Sequence, residues 1–237
     1  EPWGARELDG LTALVLGTPG AYAKVALQGD PAPGDSEGLT FGSVFTDLRL
    51  NDAGRVAFVA LTVDASQNGR RMLYTGTPGA LTQLTKDGAP AAGFGAGVVS
   101  GQPNQMFMGG DGSVAWTGTV SGTGITQGVN DGALWIADPQ GAVTLLARTG
   151  DVVYITSQKR VFTGFSLYSG NNAGSPCSGR AASIDDNGNV AVRVTFENGT
   201  DGIFVISSRL GLPDPGGGGG GGGGGRPPCA HLLTCHA

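Results

Sequence analysis

Cysteine and histidine gather near one end of the chain, where Cys229, His231, Cys235 and His236 lie within eight residues. Thiolate and imidazole are the usual ligands of zinc, and two of each can complete a tetrahedral site. One residue between Cys229 and His231 is unlike finger spacing, so disulfide bonding competes with the metal reading. Cys177 brings the cysteines to three, which in a secreted protein suggests one disulfide and a spare thiol drawn from Cys177, Cys229 and Cys235. Cys235-His236 also ends as a haem c attachment motif does. Five residues separate the two cysteines, however, where that motif has two. No cofactor is therefore expected, with zinc, calcium and haem c as the alternatives.

Enzymatic chemistry has little to draw on. General acid–base and nucleophilic catalysis most often use His, and both histidines lie beyond a run of ten glycines, Gly216 through Gly220 to Gly225. The acids Asp9, Asp87, Asp111, Asp131 and Asp201 each precede a glycine, which assigns them to turns. Asp185-Asp186-Asn187-Gly188-Asn189 resembles a calcium loop, but its glycine comes too early and no Glu closes it, so it reads as a hairpin turn. Asn198-Gly199-Thr200 has the form of a glycosylation sequon and reads as an Asn-Gly turn. The expectation is a protein that is not an enzyme.

The elements that must position these residues are strands. Among 237 residues there are 45 Gly and 13 Pro, and only 14% are charged. Glycine and proline are poor helix formers, and Val, Thr, Leu and Ala dominate the remainder. This predicts an all-β fold. With a net charge of −5 and only 14 scattered Lys and Arg, the chain supplies no phosphate-binding stripe, and nucleic acid is not expected as a partner. The adjacent basic pairs Arg70-Arg71 and Lys159-Arg160 read as solvated strand ends. No apolar run approaches the roughly 20 residues of a membrane-spanning helix. The start, Glu1-Pro2-Trp3-Gly4, has neither a basic nor an apolar leader region, as expected once a signal peptide is removed.

A tandem repeat of about 60 residues organises the strands. Leu14 to Ala21 and Leu73 to Ala80 share the pattern Leu-x-x-Gly-Thr-Pro-Gly-Ala, and Leu134 to Ala142 is a looser copy. Each is a short apolar strand, a Pro/Gly turn and a second strand, ending in a breaker such as Gly29-Asp30-Pro31-Ala32-Pro33-Gly34 or Asp87-Gly88-Ala89-Pro90. A second unit recurs as Asn51-Asp52-Ala53-Gly54-Arg55-Val56-Ala57-Phe58, then Met108 to Trp116, then Ile184 to Val192. The alternation of Val56, Phe58, Ala60 and Thr62 predicts a strand buried on one face. The first full repeat thus has four strands, Thr46 to Leu50, Arg55 to Val63, Arg71 to Tyr74 and Ala80 to Thr85, as in a propeller blade. Surplus length falls in loops such as Ser166 to Ser178. Trp116 and Trp135 sit where the repeat elsewhere has core residues and are assigned to packing.

The Asn51 to Phe58 motif and the Gly29 to Gly34 loop resemble bacterial secreted or surface proteins of the tandem-repeat NxxGxxAF type, which carry varied C-terminal anchors. The resemblance spans roughly residues 11–207. It implies a β-propeller-like fold and an extracellular or cell-surface location, and it brings no catalytic residues.

Three regions follow: an N-terminal segment, 1–10; a β-repeat domain, 11–207; and a Pro/Gly-rich tail, 208–237. The chain opens on the last hairpin of one repeat, and Gly202 to Ile206 begins a hairpin whose second strand is replaced by Leu212-Pro213-Asp214-Pro215. The final sheet therefore lacks its outer strand, which an N-terminal strand of the same or another chain would supply. The glycine tract is either a flexible linker or, through Gly216, Gly220 and Gly225, a close-packing assembly element. The expected role is a structural building block whose partner is itself, in a homo-oligomer or fibre. A ligand-binding propeller for a glycan or envelope protein is the alternative.

Overall fold

In the computed structural model, the described residues are 3–8, 10–18, 20–167, 183–185 and 188–207. They form fifteen strands in four antiparallel sheets. The first sheet contains β1 (Trp3–Leu8), β2 (Leu11–Thr18) and β3 (Ala21–Leu27). The second runs in order through β4 (Thr40–Leu50), β5 (Val56–Val63), β6 (Gly69–Thr77) and β7 (Ala80–Lys86). The third is β8 (Val98–Met108), β9 (Val114–Gly122), β10 (Gly132–Ala137) and β11 (Val143–Arg148). The fourth is β12 (Val152–Ile155), β13 (Gln158–Leu167), β14 (Asn189–Phe196) and β15 (Asp201–Ser207). The fold is all-β and propeller-like, built from tandem antiparallel sheets.

The sheets pack in chain order. One apolar cluster joins the first and second sheets through Leu14, Phe41, Phe58 and Tyr74. A second joins the second and third through Val59, Leu73, Trp116 and Trp135. A third joins the third and fourth through Leu134, Ile136, Phe162 and Phe204. Along β5 the side chains alternate between clusters: Phe58 and Ala60 face the first sheet, while Ala57 and Val59 face the third. On β10, Ala133, Trp135 and Ala137 face one neighbour, and Leu134 and Ile136 the other.

The strand expected to bury one face therefore buries both, with every residue from Val56 to Ala60 buried. The interleaved alanine and valine are what allow a second sheet to approach. Each large side chain so buried stabilises the stack by about 1.5–3 kcal/mol. Trp116 and Trp135 are core residues, stacked with ring centroids 5.9 Å apart.

The repeat's loops obey one rule and break it once. After β3, the Gly29 N–H donates to the Phe41 carbonyl and the Phe41 N–H to that of Asp30. The same pair of bonds closes Gly88 with Ser100, and Gly150 with Phe162. In the first two loops Pro31 and Pro90 form isolated bridges to Thr40 and Val99, and Gly34, Gly38, Gly93 and Gly97 all have positive φ. In the third loop the corresponding positions are Val152, Ile155 and Lys159. Deprived of proline and of left-handed glycines, that segment folds as the β12–β13 hairpin. Its turn places Thr156 and Ser157 at φ 47° and 68°, conformations that non-glycine residues rarely adopt. The sheet that the sequence leaves one strand short thus has four strands, its fourth added by β12 on the opposite edge.

The N-terminal segment is also part of a sheet. Trp3–Leu8 pairs with β2 from Trp3↔Leu16 to Leu8↔Leu11, across the Asp9-Gly10 dipeptide that suits a two-residue hairpin. Within one chain, this local pairing takes the place of the expected completion of the last sheet by an N-terminal strand. β13 continues through Leu167, so Ser166 belongs to a strand rather than a loop.

Gly76 marks where the repeat tolerates no side chain: at φ 148°, an added Cβ would stand 2.1 Å from the Ala80 carbonyl oxygen. Gly76→Ala should destabilise the protein by about 2 kcal/mol, whereas Ser157→Gly, which relieves a left-handed residue, should stabilise it by about 1 kcal/mol. Urea unfolding midpoints of the two variants should therefore move in opposite directions.

Candidate functional site

The best-preserved sequence motif forms a column of turns. At the β4–β5 turn, the Asn51 Oδ1 accepts from the Arg55 N–H at 2.9 Å, and Gly54 adopts φ 73°. At the β8–β9 turn, Asp111 accepts from the Ser113 N–H and hydroxyl at 2.8 and 2.7 Å, and Gly112 adopts φ 92°. At the turn before β14, Asp185 accepts from the Asn189 N–H and side-chain amide at 2.8 and 2.7 Å, and Gly188 adopts φ 75°. All three turns are closed in the same way, by a side-chain oxygen reaching a backbone N–H ahead of it.

The turns also touch one another. The Asn51 Nδ2 donates to the Gly110 carbonyl of the next repeat at 3.0 Å. Arg55 crosses Gly112 so closely that a Cβ there would meet its Cδ at 2.8 Å, and donates onward to the Pro139 carbonyl at 2.9 Å. A Cβ on Gly109 would stand 2.9 Å from the Asp185 carbonyl oxygen. Asn51 thus closes its own turn and ties the next one. In the second copy glycine replaces that Asn because the third turn packs against it, and the closing role passes to Asp111.

A second constellation, not singled out from the sequence, lies where the loop after β3 meets the end of β7. The Lys86 Nζ is 2.9 Å from the Asp35 Oδ1 and 2.8 Å from the Glu37 Oε1. The Lys86 and Asp35 side chains are 10% and 1% exposed, and Glu37 lies at the rim at 46%. The Asp35 Oδ2 accepts from the N–H groups of Glu37 and Leu39 at 2.8 and 3.0 Å. Arg70 pairs with Glu37 from outside at 3.3 Å. Burial is the strongest influence on Asp35 and on Lys86, pushing each toward its neutral form. Their hydrogen bonds and mutual attraction together outweigh it, so the carboxyl ends below its ordinary value and the ammonium above. Buried Tyr74 is pushed upward by burial and by the nearby Asp35 charge.

Lys86 was legible only as one of three lysines. The hairpins place Leu27 and Arg148 at the same position, and its partners lie about fifty residues upstream. No local spacing connects them.

The third distinctive region is the fourth sheet. Its strands alternate where the middle sheets do not: Val190, Val192, Val194 and Phe196 are buried, while Arg193 is exposed. Arg193 pairs with Asp201, which also accepts from the Thr195 hydroxyl at 2.9 Å. These bonds, Arg193 first, hold the Asp201 carboxyl below its ordinary value. Asp201 is therefore part of a cross-strand network rather than a turn. The outward side of the sheet thus carries this polar network beside exposed apolar residues, Ile203 among them at 46%. β15 pairs with β14 over seven residues without a bulge and stands at the sheet edge among the described residues. At the other edge, β12 exposes Tyr154 at 70%.

The residues that the sequence offered for chemistry, Cys177, Cys229, His231, Cys235 and His236, lie outside the described residues, as do Gly216, Gly220 and Gly225. Among the described residues no three His, Cys, Asp or Glu side chains come together to hold a metal ion. The stretch that resembles a calcium loop spends both Asp185 oxygens on Asn189. At Asn198-Gly199-Thr200 the chain makes the expected turn, with Gly199 at φ 78°.

Residues 9–218 match a family of unknown function, DUF7453. The match covers the repeat region and stops before Cys229, and the chain belongs to this family. No curated protein and no solved structure matches it.

The double use of Asn51 sets a graded expectation. Asn51→Asp keeps the oxygen that closes the turn and loses the donor to Gly110, costing about 1 kcal/mol; Asn51→Ala loses both and should cost about 2 kcal/mol. Chemical denaturation of the two variants, measured at neutral pH, checks the order.

Proposed function

We propose that this protein is a non-enzymatic structural component of the bacterial cell exterior, whose copies join through the strands that edge the fourth sheet among the described residues. The observation that carries this reading is β15. Its sequence, Asp201-Gly202-Ile203-Phe204-Val205-Ile206-Ser207, has no lysine, proline or bulge, the devices that normally protect an exposed edge. In the second and third sheets the equivalent strands, β6 and β10, each have a further partner in β7 and β11.

A second copy supplies that partner naturally. β12 and β15 are the opposite edges of one antiparallel sheet, and three successive antiparallel pairings separate them. Copies related by simple translation therefore present β12 antiparallel to the preceding β15, and the sheet continues from chain to chain. The glycine tract follows β15 in sequence and belongs to the same assembly region in this reading. The resemblance to tandem-repeat surface proteins supports the exterior location.

The test compares the full chain with Ile203→Lys and with a deletion of residues 208–237, by light scattering and negative-stain microscopy. The wild-type chain should form oligomers or fibres that grow with concentration. Ile203→Lys, with unchanged circular dichroism, should be monomeric, and the deletion should weaken assembly. A wild-type chain monomeric at all concentrations would overturn the proposal, as would an Ile203→Lys variant that assembles normally.

A further inference from the structure

We propose that Lys86 and Asp35 form an intramolecular isopeptide bond, with Glu37 as the proton carrier. This inference does not depend on self-association. It rests on three coincidences of geometry. A lysine amine and a carboxyl group are enclosed together, 2.9 Å apart, with side-chain exposures of 10% and 1%. A second carboxylate, Glu37, touches the same nitrogen at 2.8 Å and reaches the surface. Two backbone N–H groups, those of Glu37 and Leu39, point at the remaining Asp35 oxygen, Oδ2. These donors form the turn that Asp35 shares with Asp64 and Asp138, and at Asp35, where the lysine amine is enclosed beside the same carboxyl, they can receive negative charge that develops on Oδ2.

The step balances without any added reagent. Burial favours the neutral forms of both groups, while their hydrogen bonds and mutual attraction favour the charged pair and prevail, so the neutral pair is the minor, reactive state. Transfer of one proton from the Lys86 Nζ to the Asp35 Oδ1 removes both charges at once, leaving an amine and a carboxylic acid. The amine lone pair attacks the Asp35 Cγ, and the developing negative charge settles on Oδ2 beneath the N–H groups of Glu37 and Leu39. Glu37 accepts a proton from the attacking nitrogen and returns it to Oδ1. The Cγ–Oδ1 bond breaks, water leaves past the exposed Glu37, and an Nζ–Cγ amide remains. No electrons are transferred between species. Arg70, 3.3 Å from Glu37, pairs with the carrier from outside.

The bond would tie the loop between the first two sheets to the last strand of the second. The enclosed segment, 35–86, includes all four strands of that sheet. Such a closed loop restricts the unfolded chain as a disulfide does, without a redox requirement.

Intact-mass spectrometry of the reduced, denatured full chain tests the assignment. The wild-type protein should be lighter than its sequence by the mass of one water. Trypsin should fail to cut after Lys86 and should release a branched peptide joining the Lys86 and Asp35 segments. Glu37→Gln, at a half-exposed position, should fold and keep the full mass, and Lys86→Arg should keep it too. A wild-type chain at full mass would overturn the proposal. So would a missing water mapped elsewhere, and a Glu37→Gln variant that still loses water would overturn the role given to Glu37.

Discussion

Everything in this fold depends on sheets that bury both faces at once. A sheet with one apolar face needs a single partner, but β5 and β10 carry uninterrupted apolar runs that alternate between two neighbours. Such a sheet is stable only inside a stack. The small residues in those runs, Ala57, Ala60, Ala133 and Ala137, are as necessary as the large ones, because they let the backbones of adjacent sheets approach. The first and fourth sheets are consequently different in kind from the two between them, and the fourth shows it in the Arg193, Thr195 and Asp201 network on its outward side. A stack must end, and Arg193, Thr195 and Asp201 are how this one ends in water.

The same constraint explains the repeated turns. Sheets packed face to face must keep their ends in register, and the closing Asn or Asp of each turn does this by fixing the turn and, through Asn51, by bonding to the next. The loops play the complementary part on the other side of the strands. Where proline and left-handed glycines persist, the loop is a compact crossover; where Val152, Ile155 and Lys159 replace them, it becomes a hairpin and exposes Tyr154.

Much of this was legible in the sequence, and the limits are physical. The hairpins from β2 to β3, β6 to β7 and β10 to β11 announce themselves through Pro/Gly turns, and the repeat period through Asn51, Gly54 and Phe58. Two-sided burial was written in Ala57 and Val59 but masked by the stronger alternation of Val56, Phe58 and Ala60. β12 was illegible because it arises from the loss of a signal, and β1 because an Asp-Gly turn alone does not say what it joins. Lys86, Asp35 and Glu37 are brought together only by tertiary packing. The zinc, haem and disulfide readings of the tail rest on residues outside those described.

The proposed self-association runs through the edge of the fourth sheet, and hydrogen exchange at that edge is its most direct test. Amides of residues 201–207 should gain protection as protein concentration rises, while those of β5 and β10, already enclosed, stay constant. Exchange in β15 that is independent of concentration across the range where copies would meet would contradict self-association through this edge.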